Sequence, residues 1–160
     1  SAAAPMSATF LSTPLIVHWP RGITARGQVR QTPGHVVDLV PTLLEVAGGP
    51  PSGQWPGPSA PPAPGRSLLP AFKKDGTVQH DSVWWLHEEN RALRVGDWKI
   101  VASGKDSPWE LYDLSRDRSE SKNLAALNPG KVRELAERWQ RQTDDCFALA
   151  RQKVPPAATK

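Results

Sequence analysis

A chain of 160 residues has room for one ordinary domain and little more. Its net charge of +4 is interleaved along the sequence, and the Arg21, Arg26 and Arg30 group has no aromatic residues between its members, so no nucleic-acid partner is indicated. Cys146 is the single cysteine, which excludes an intrachain disulfide and a Cys-based metal cluster, and no apolar run approaches the ~20 residues of a membrane span.

Ser1 to Met6 lack the basic start and apolar run of a signal peptide, and residues 1–12 read as a flexible leader. Pro14 to Trp19 are mostly apolar or β-branched without alternation, the pattern of a short strand buried on both faces. Asp38 is placed to cap a short helix over Leu39 to Ala47, with Pro41 in its first turn and Gly48-Gly49-Pro50 as its stop. Leu39, Val40, Leu43, Leu44 and Val46 make a broad apolar face, so this helix is expected to be largely buried. Residues 50–64 are Pro-rich and read as a surface loop, after which Gly65 to Phe72 dock the chain back onto the body.

From Asp81 the pattern turns to strands. Val83–Leu86, Ala92–Val95 and Trp98–Val101 are three, with Gly96-Asp97 as a two-residue hairpin turn, and Trp109–Tyr112 is a fourth. Asn128-Pro129 starts a helix whose Val132, Leu135, Ala136, Trp139, Cys146 and Ala150 lie near one stripe, while residues 151–160 read as a disordered tail. The fold class that follows is α+β: an antiparallel sheet of about four strands packed against a C-terminal amphipathic helix, preceded by a strand and a short helix.

Thr13-Pro14-Leu15-Ile16-Val17-His18-Trp19-Pro20, Asp38-Leu39-Val40-Pro41-Thr42-Leu43-Leu44, Pro64-Gly65-Arg66-Ser67-Leu68, Arg94-Val95-Gly96-Asp97-Trp98-Lys99 and Glu110-Leu111-Tyr112-Asp113-Leu114, with Glu120 and Asn123-Leu124 following, resemble in order and spacing the C-terminal end of an arylsulfatase-like sulfatase. The resemblance implies that residues 13–49 are the last strand and helix of an α/β phosphatase-like body and that residues 65–150 are a C-terminal subdomain. It also implies a parent that hydrolyses sulfate esters with a formylglycine nucleophile and a calcium ion. Both belong to the N-terminal part, because no Cys/Ser-x-Pro-Ser-Arg motif occurs here. Ser59-Ala60-Pro61 continues as Pro62-Ala63, and Ser7 to Ser12 stand where sulfatases carry a catalytic Lys and a Glu-Gly-Gly run. That departure reads as truncation or a fused leader. No catalytic, metal or cofactor residue is therefore assigned to this chain.

By the same resemblance, loops of the C-terminal subdomain reach the mouth of the active site. His87, Glu88, Asn90 and Arg91, between two strands, are the candidate contacts to the non-sulfate portion of a sulfated substrate; the plain alternative is a solvated, salt-bridged turn. His35 is read as orienting a loop, His18 as a hydrogen-bonded core histidine, and Trp84 and Trp85 as pointing to opposite faces of their strand. A different class of function is a free-standing interaction module, with self-association through the apolar strand at Leu15 to Val17.

Overall fold

The computed structural model describes residues 13–49 and 64–151, so the leader, all but the last residue of the Pro-rich segment and nearly all of the tail lie outside the described residues. Residues 16–79 and 80–150 make two compact units.

In the second unit, β1 (Val83–His87), β2 (Asn90–Val95), β3 (Trp98–Ala102) and β4 (Glu110–Asp113) form an antiparallel sheet in the order β1-β2-β3-β4. Gly96, at φ +58°, supplies the left-handed residue that the β2–β3 turn requires. The register sets Trp84 beside Leu93, Leu93 beside Ile100 and Ile100 beside Leu111, so strand alternation gathers one apolar row on one face. Helix α3 (Pro129–Arg151) covers that row with Leu135 and Trp139. Leu93, Ile100, Leu111 and Leu135 are all but inaccessible to solvent, each contributing about 1.5–3 kcal/mol by burial.

Polar links fix how the helix lies. The Trp84 indole N–H donates to Thr143 Oγ1 at 2.9 Å, and the Trp139 indole N–H donates to the Trp85 carbonyl at 3.1 Å. Trp84 and Trp85 do take opposite faces, and Trp84 packs against the core. The apolar stripe ends earlier than its sequence pattern suggests. Thr143 is the last buried residue of α3, whereas Cys146, Phe147 and Leu149 are exposed.

In the first unit, a 3-10 turn at Val36–Asp38 leads into α1 (Leu39–Val46), and α2 (Leu69–Lys73) follows later. The α1 backbone starts where the sequence indicates, but Asp38 does not cap it with its side chain. The carboxylate is fully buried and accepts the His35 N–H at 2.7 Å and the Arg66 N–H at 2.8 Å. Thr42 Oγ1 donates to the Asp38 carbonyl and accepts the Leu68 N–H, so the two side chains join α1 to the segment that opens α2. Gly65 makes this approach feasible, since a Cβ there would stand 2.1 Å from the Val37 carbonyl oxygen. His35 behaves as expected of a loop-orienting residue: its Nδ1 accepts the Val37 N–H at the turn.

Two expectations for this unit are corrected. Pro14 to Trp19 form no strand, and Leu15, Ile16 and Val17 are exposed, Ile16 by 90%. His18 is exposed too. A strand exists only where a neighbour takes its backbone N–H and C=O groups, and among the described residues none does. Helix α1 is likewise not largely buried: only Pro41 and Thr42 are, while Leu39, Val40, Leu43 and Val46 face solvent.

Candidate functional site

The four candidate site residues lie around the tip where β1 passes into β2. His87 pairs with Asn90 across a two-residue turn of Glu88 and Glu89. Glu88 sits at φ +54°, a left-handed conformation that an L-residue adopts only at a cost and that Gly or Asn normally fills. His87, Glu88 and Glu89 are exposed, so the tip presents one imidazole and two carboxylates to solvent.

The other two candidates are engaged with the protein. Asn90 Oδ1 accepts the Ser103 hydroxyl at 3.1 Å, tying the β1–β2 tip to the end of β3. Arg91 belongs to the opposite sheet face, the one covered by α3. Its guanidinium lies 4.8 Å from the Trp109 ring centre and 5.9 Å from that of Trp139, and it donates to the Ser107 carbonyl at 2.9 Å. The structure thus brings His87, Glu88 and Asn90 together and turns Arg91 away from them. Arg91 Nε is buried without a hydrogen-bond partner, an arrangement tolerated because the ring faces stabilise the cation.

A second polar constellation was not anticipated from the sequence. Lys99 is 2% exposed on the sheet face opposite α3, and its Nζ meets Glu120 Oε1 at 2.5 Å. Burial pushes the Lys99 ammonium below its usual pKa, and the Glu120 carboxylate opposes that shift. Glu120 stands at φ +55° in the loop after β4, and its Oε2 is buried with no hydrogen-bond partner. The Asp117 carboxylate shapes that loop by accepting from Ser119, Ser121 and the Lys122 N–H, which lower its pKa to about 2. Asn123 Oδ1 and Leu124 then tie the loop back to Leu111. Beside Lys99 in register, Tyr112 donates its hydroxyl to Glu110 Oε2 at 2.5 Å, and burial together with that carboxylate raises the phenol's pKa. The available signal was a lysine on a strand flanked by apolar residues with a glutamate 21 positions later; nothing local says that the two meet.

Among the described residues no group of three or more His, Cys, Asp or Glu side chains could hold a metal ion. Nor does any described helix have the length and apolarity to cross a membrane.

The model of a family described as N-sulphoglucosamine sulphohydrolase, C-terminal, matches residues 5–145. An uncharacterized sulfatase of Schizosaccharomyces pombe is 36% identical over 111 residues, covering 65% of this chain and 20% of the relative. Arylsulfatase K of Danio rerio is 29% identical over 134 residues, covering 76% of this chain and 24% of its own. The chain therefore spans a quarter or less of the length of these curated relatives. In fold it is similar to the crystal structure of Ps i-CgsB, with a TM-score of 0.60 over 78% of this chain and 27% of that one at 22% identity.

Proposed function

Because the chain belongs to the N-sulphoglucosamine sulphohydrolase C-terminal family of the sulfatases, we propose that it completes the fold of a sulfate-ester hydrolase and lends the β1–β2 tip to the substrate pocket. The chemical step falls to residues outside this sequence, where a formylglycine nucleophile and calcium would supply the attacking oxygen and charge neutralisation. Residues 13–49 are then the edge of the catalytic body, residues 50–64 a connecting loop and residues 65–150 the C-terminal subdomain. The exposed Leu15 to Val17 and the apolar side of α1 favour this reading, since so much apolar surface is ordinarily covered.

The observation that carries the pocket assignment is Glu88 in the left-handed conformation at an exposed tip, beside His87. A two-residue hairpin turn calls for a left-handed residue that glycine or asparagine fills most easily, so a glutamate there keeps its side chain at a backbone cost. His87 offers a hydrogen-bond donor and an acceptor, and Glu88 accepts from sugar hydroxyls. Asn90 and Arg91 act as positioning residues, the first through Ser103 and the second through Trp109. Negative charge at the tip suits the hydroxyl-bearing part of the substrate and repels its sulfate, which orients the ester toward the catalytic body.

Two measurements test this. The pure chain incubated with nitrophenyl sulfate releases no nitrophenol; turnover would overturn the placement of the chemistry elsewhere. Titration of the isotopically labelled chain with a neutral aminosugar shifts the His87 and Asn90 amides, and Glu88→Gln weakens the response; unmoved amides at saturating sugar would overturn the tip as a contact. The alternative of a free-standing module rests on the same exposed apolar segments. It requires a concentration-dependent dimer in sedimentation that Ile16→Asp abolishes.

A further inference from the structure

The first unit contains a pocket that the tip reading does not use. Trp19 closes a tight turn, its carbonyl accepting the Gly22 N–H at 3.1 Å and the Ile23 N–H at 2.9 Å. The indole folds down on that turn: a Cβ on Gly22 would stand 2.1 Å from the ring, so only glycine leaves room for it. Opposite the indole, α2 presents Leu69, Phe72 and Lys73, three positions that share one helix face. Arg30 steadies the α2 wall by donating to the carbonyls of Ala71, Phe72 and Lys73. Between them lies a cavity of about 250 Å³ lined by Trp19, Arg21, Gly22, Leu69, Phe72 and Lys73.

The lining combines two aromatic rings with two cations and no carboxylate. Neither Arg21 nor Lys73 forms a side-chain ion pair among the described residues. Asp75, two positions beyond Lys73, is already engaged by the N–H groups of Gln31, Thr32 and Gly76 and by the Thr32 hydroxyl. We propose that this pocket binds a single anionic sugar ring, its apolar face on the Trp19 indole and its sulfate between Arg21 and Lys73. The volume sets the limit of one ring, since drug-sized ligands occupy roughly 300–1,000 Å³. An aromatic platform answers the C–H face of a pyranose, and the two cations answer an anion with charge-assisted hydrogen bonds. This is a site separate from the β1–β2 tip.

The probe is N-acetylglucosamine 6-sulfate, titrated into the labelled full chain and followed by its amide and indole N–H signals. Saturable shifts at the Trp19 indole and at Phe72 and Lys73 are expected, with a dissociation constant of about 1–10 mM for so small a ligand. N-acetylglucosamine without sulfate and inorganic sulfate alone should each bind about tenfold or more weakly, and Arg21→Gln or Lys73→Gln should weaken the sulfated sugar by a similar factor. Both residues are exposed, so these variants keep the fold. Trp19→Ala should abolish the shifts at Phe72. An unmoved Trp19 indole at roughly 50 mM sugar, or inorganic sulfate binding as tightly as the sulfated sugar, overturns the proposal. Shifts confined to His87 and Asn90 overturn it while leaving the tip reading intact, and shifts confined to the pocket do the reverse.

Discussion

Replacing Glu120 by Gln tests whether the Lys99 pair is an energetic centre of the sheet. The Lys99 and Glu120 side chains are 2% and 5% exposed and meet at 2.5 Å, so the substitution strands an ammonium in a site without its counter-charge. Removing one member of a buried pair costs about 3–5 kcal/mol. An independent bound agrees: the lysine can always shed its proton, which at pH 7 costs about 4.6 kcal/mol from a reference pKa of ~10.4. The native pKa of Lys99 already lies below its ordinary value through burial, and loss of Glu120 lowers it further. The sign follows from proton counts. Between the lowered folded value and the unfolded value near 10.4 the unfolded chain binds the extra proton, so the variant gains stability as pH rises through that window, by at most ~1.4 kcal/mol per pH unit. Urea unfolding of the full chain, read from the Leu93 and Ile100 amides at pH 7 and pH 9, measures both quantities. A loss below about 1 kcal/mol at pH 7, or a variant that gains no stability anywhere as pH rises toward the unfolded lysine value, would refute the reasoning. The double variant Lys99→Met with Glu120→Leu should recover most of the loss, because apolar residues of similar size often replace a buried pair at little cost.

Three further outcomes follow from the backbone and the loops. Glu88→Gly should stabilise the second unit by roughly 1 kcal/mol, since glycine adopts φ +54° without steric conflict, and should weaken any sugar response at the tip; urea midpoints and the sugar titration read the two effects. Gly65→Ala should destabilise the first unit by about 1–3 kcal/mol or more and speed exchange of the Arg66 amide, because the new methyl collides with the Val37 carbonyl. Asp75, whose pKa is lowered to about 2 by the Thr32 hydroxyl and the Gln31 N–H, stabilises its loop above a pH near 4, and that contribution disappears as pH falls through about 2. Exchange protection at the Gln31 and Thr32 amides should follow that profile, and Asp75→Asn should abolish the pH dependence.

The sheet was legible because its information is local. The two-residue turn at Gly96-Asp97 fixes the β2–β3 register, and alternation then decides which of Trp84 and Trp85 enters the core. Helix α3 was legible from Asn128-Pro129 and its stripe as far as Trp139; the stripe misled beyond Thr143, where the helix keeps its apolar residues but no longer buries them. The Leu15 to Val17 segment shows the limit of pattern reading. An apolar run states what a segment would bury, and whether it becomes a strand depends on backbone partners elsewhere. The site divided in the same way. His87 and Glu88 fell between the two strands as the sequence has them, but the turn is two residues where the pattern left five, because His87, Asn90 and Arg91 extend the ladder; the turning of Arg91 onto Trp109 follows from strand parity counted back from Leu93. The Lys99–Glu120 pair and the Asp38–Arg66 link each join residues separated by a loop, and only the folded chain brings those ends together.

The indoles gathered on α3 carry an optical consequence. Trp84 and Trp139 stack with ring centres 6.5 Å apart and an interplanar angle of 27°, and Trp109 meets Trp139 edge-on at 5.6 Å. Transition dipoles held so close in fixed chiral geometry couple, and the coupled pair should show a circular-dichroism couplet that isolated indoles lack. Trp139 is the chromophore common to both contacts, so the couplet measures the seating of α3 on the sheet. In the described part of the first unit the only indole is Trp19, which takes no part in these contacts. The couplet therefore reports on the packing of the second unit alone, without any added label.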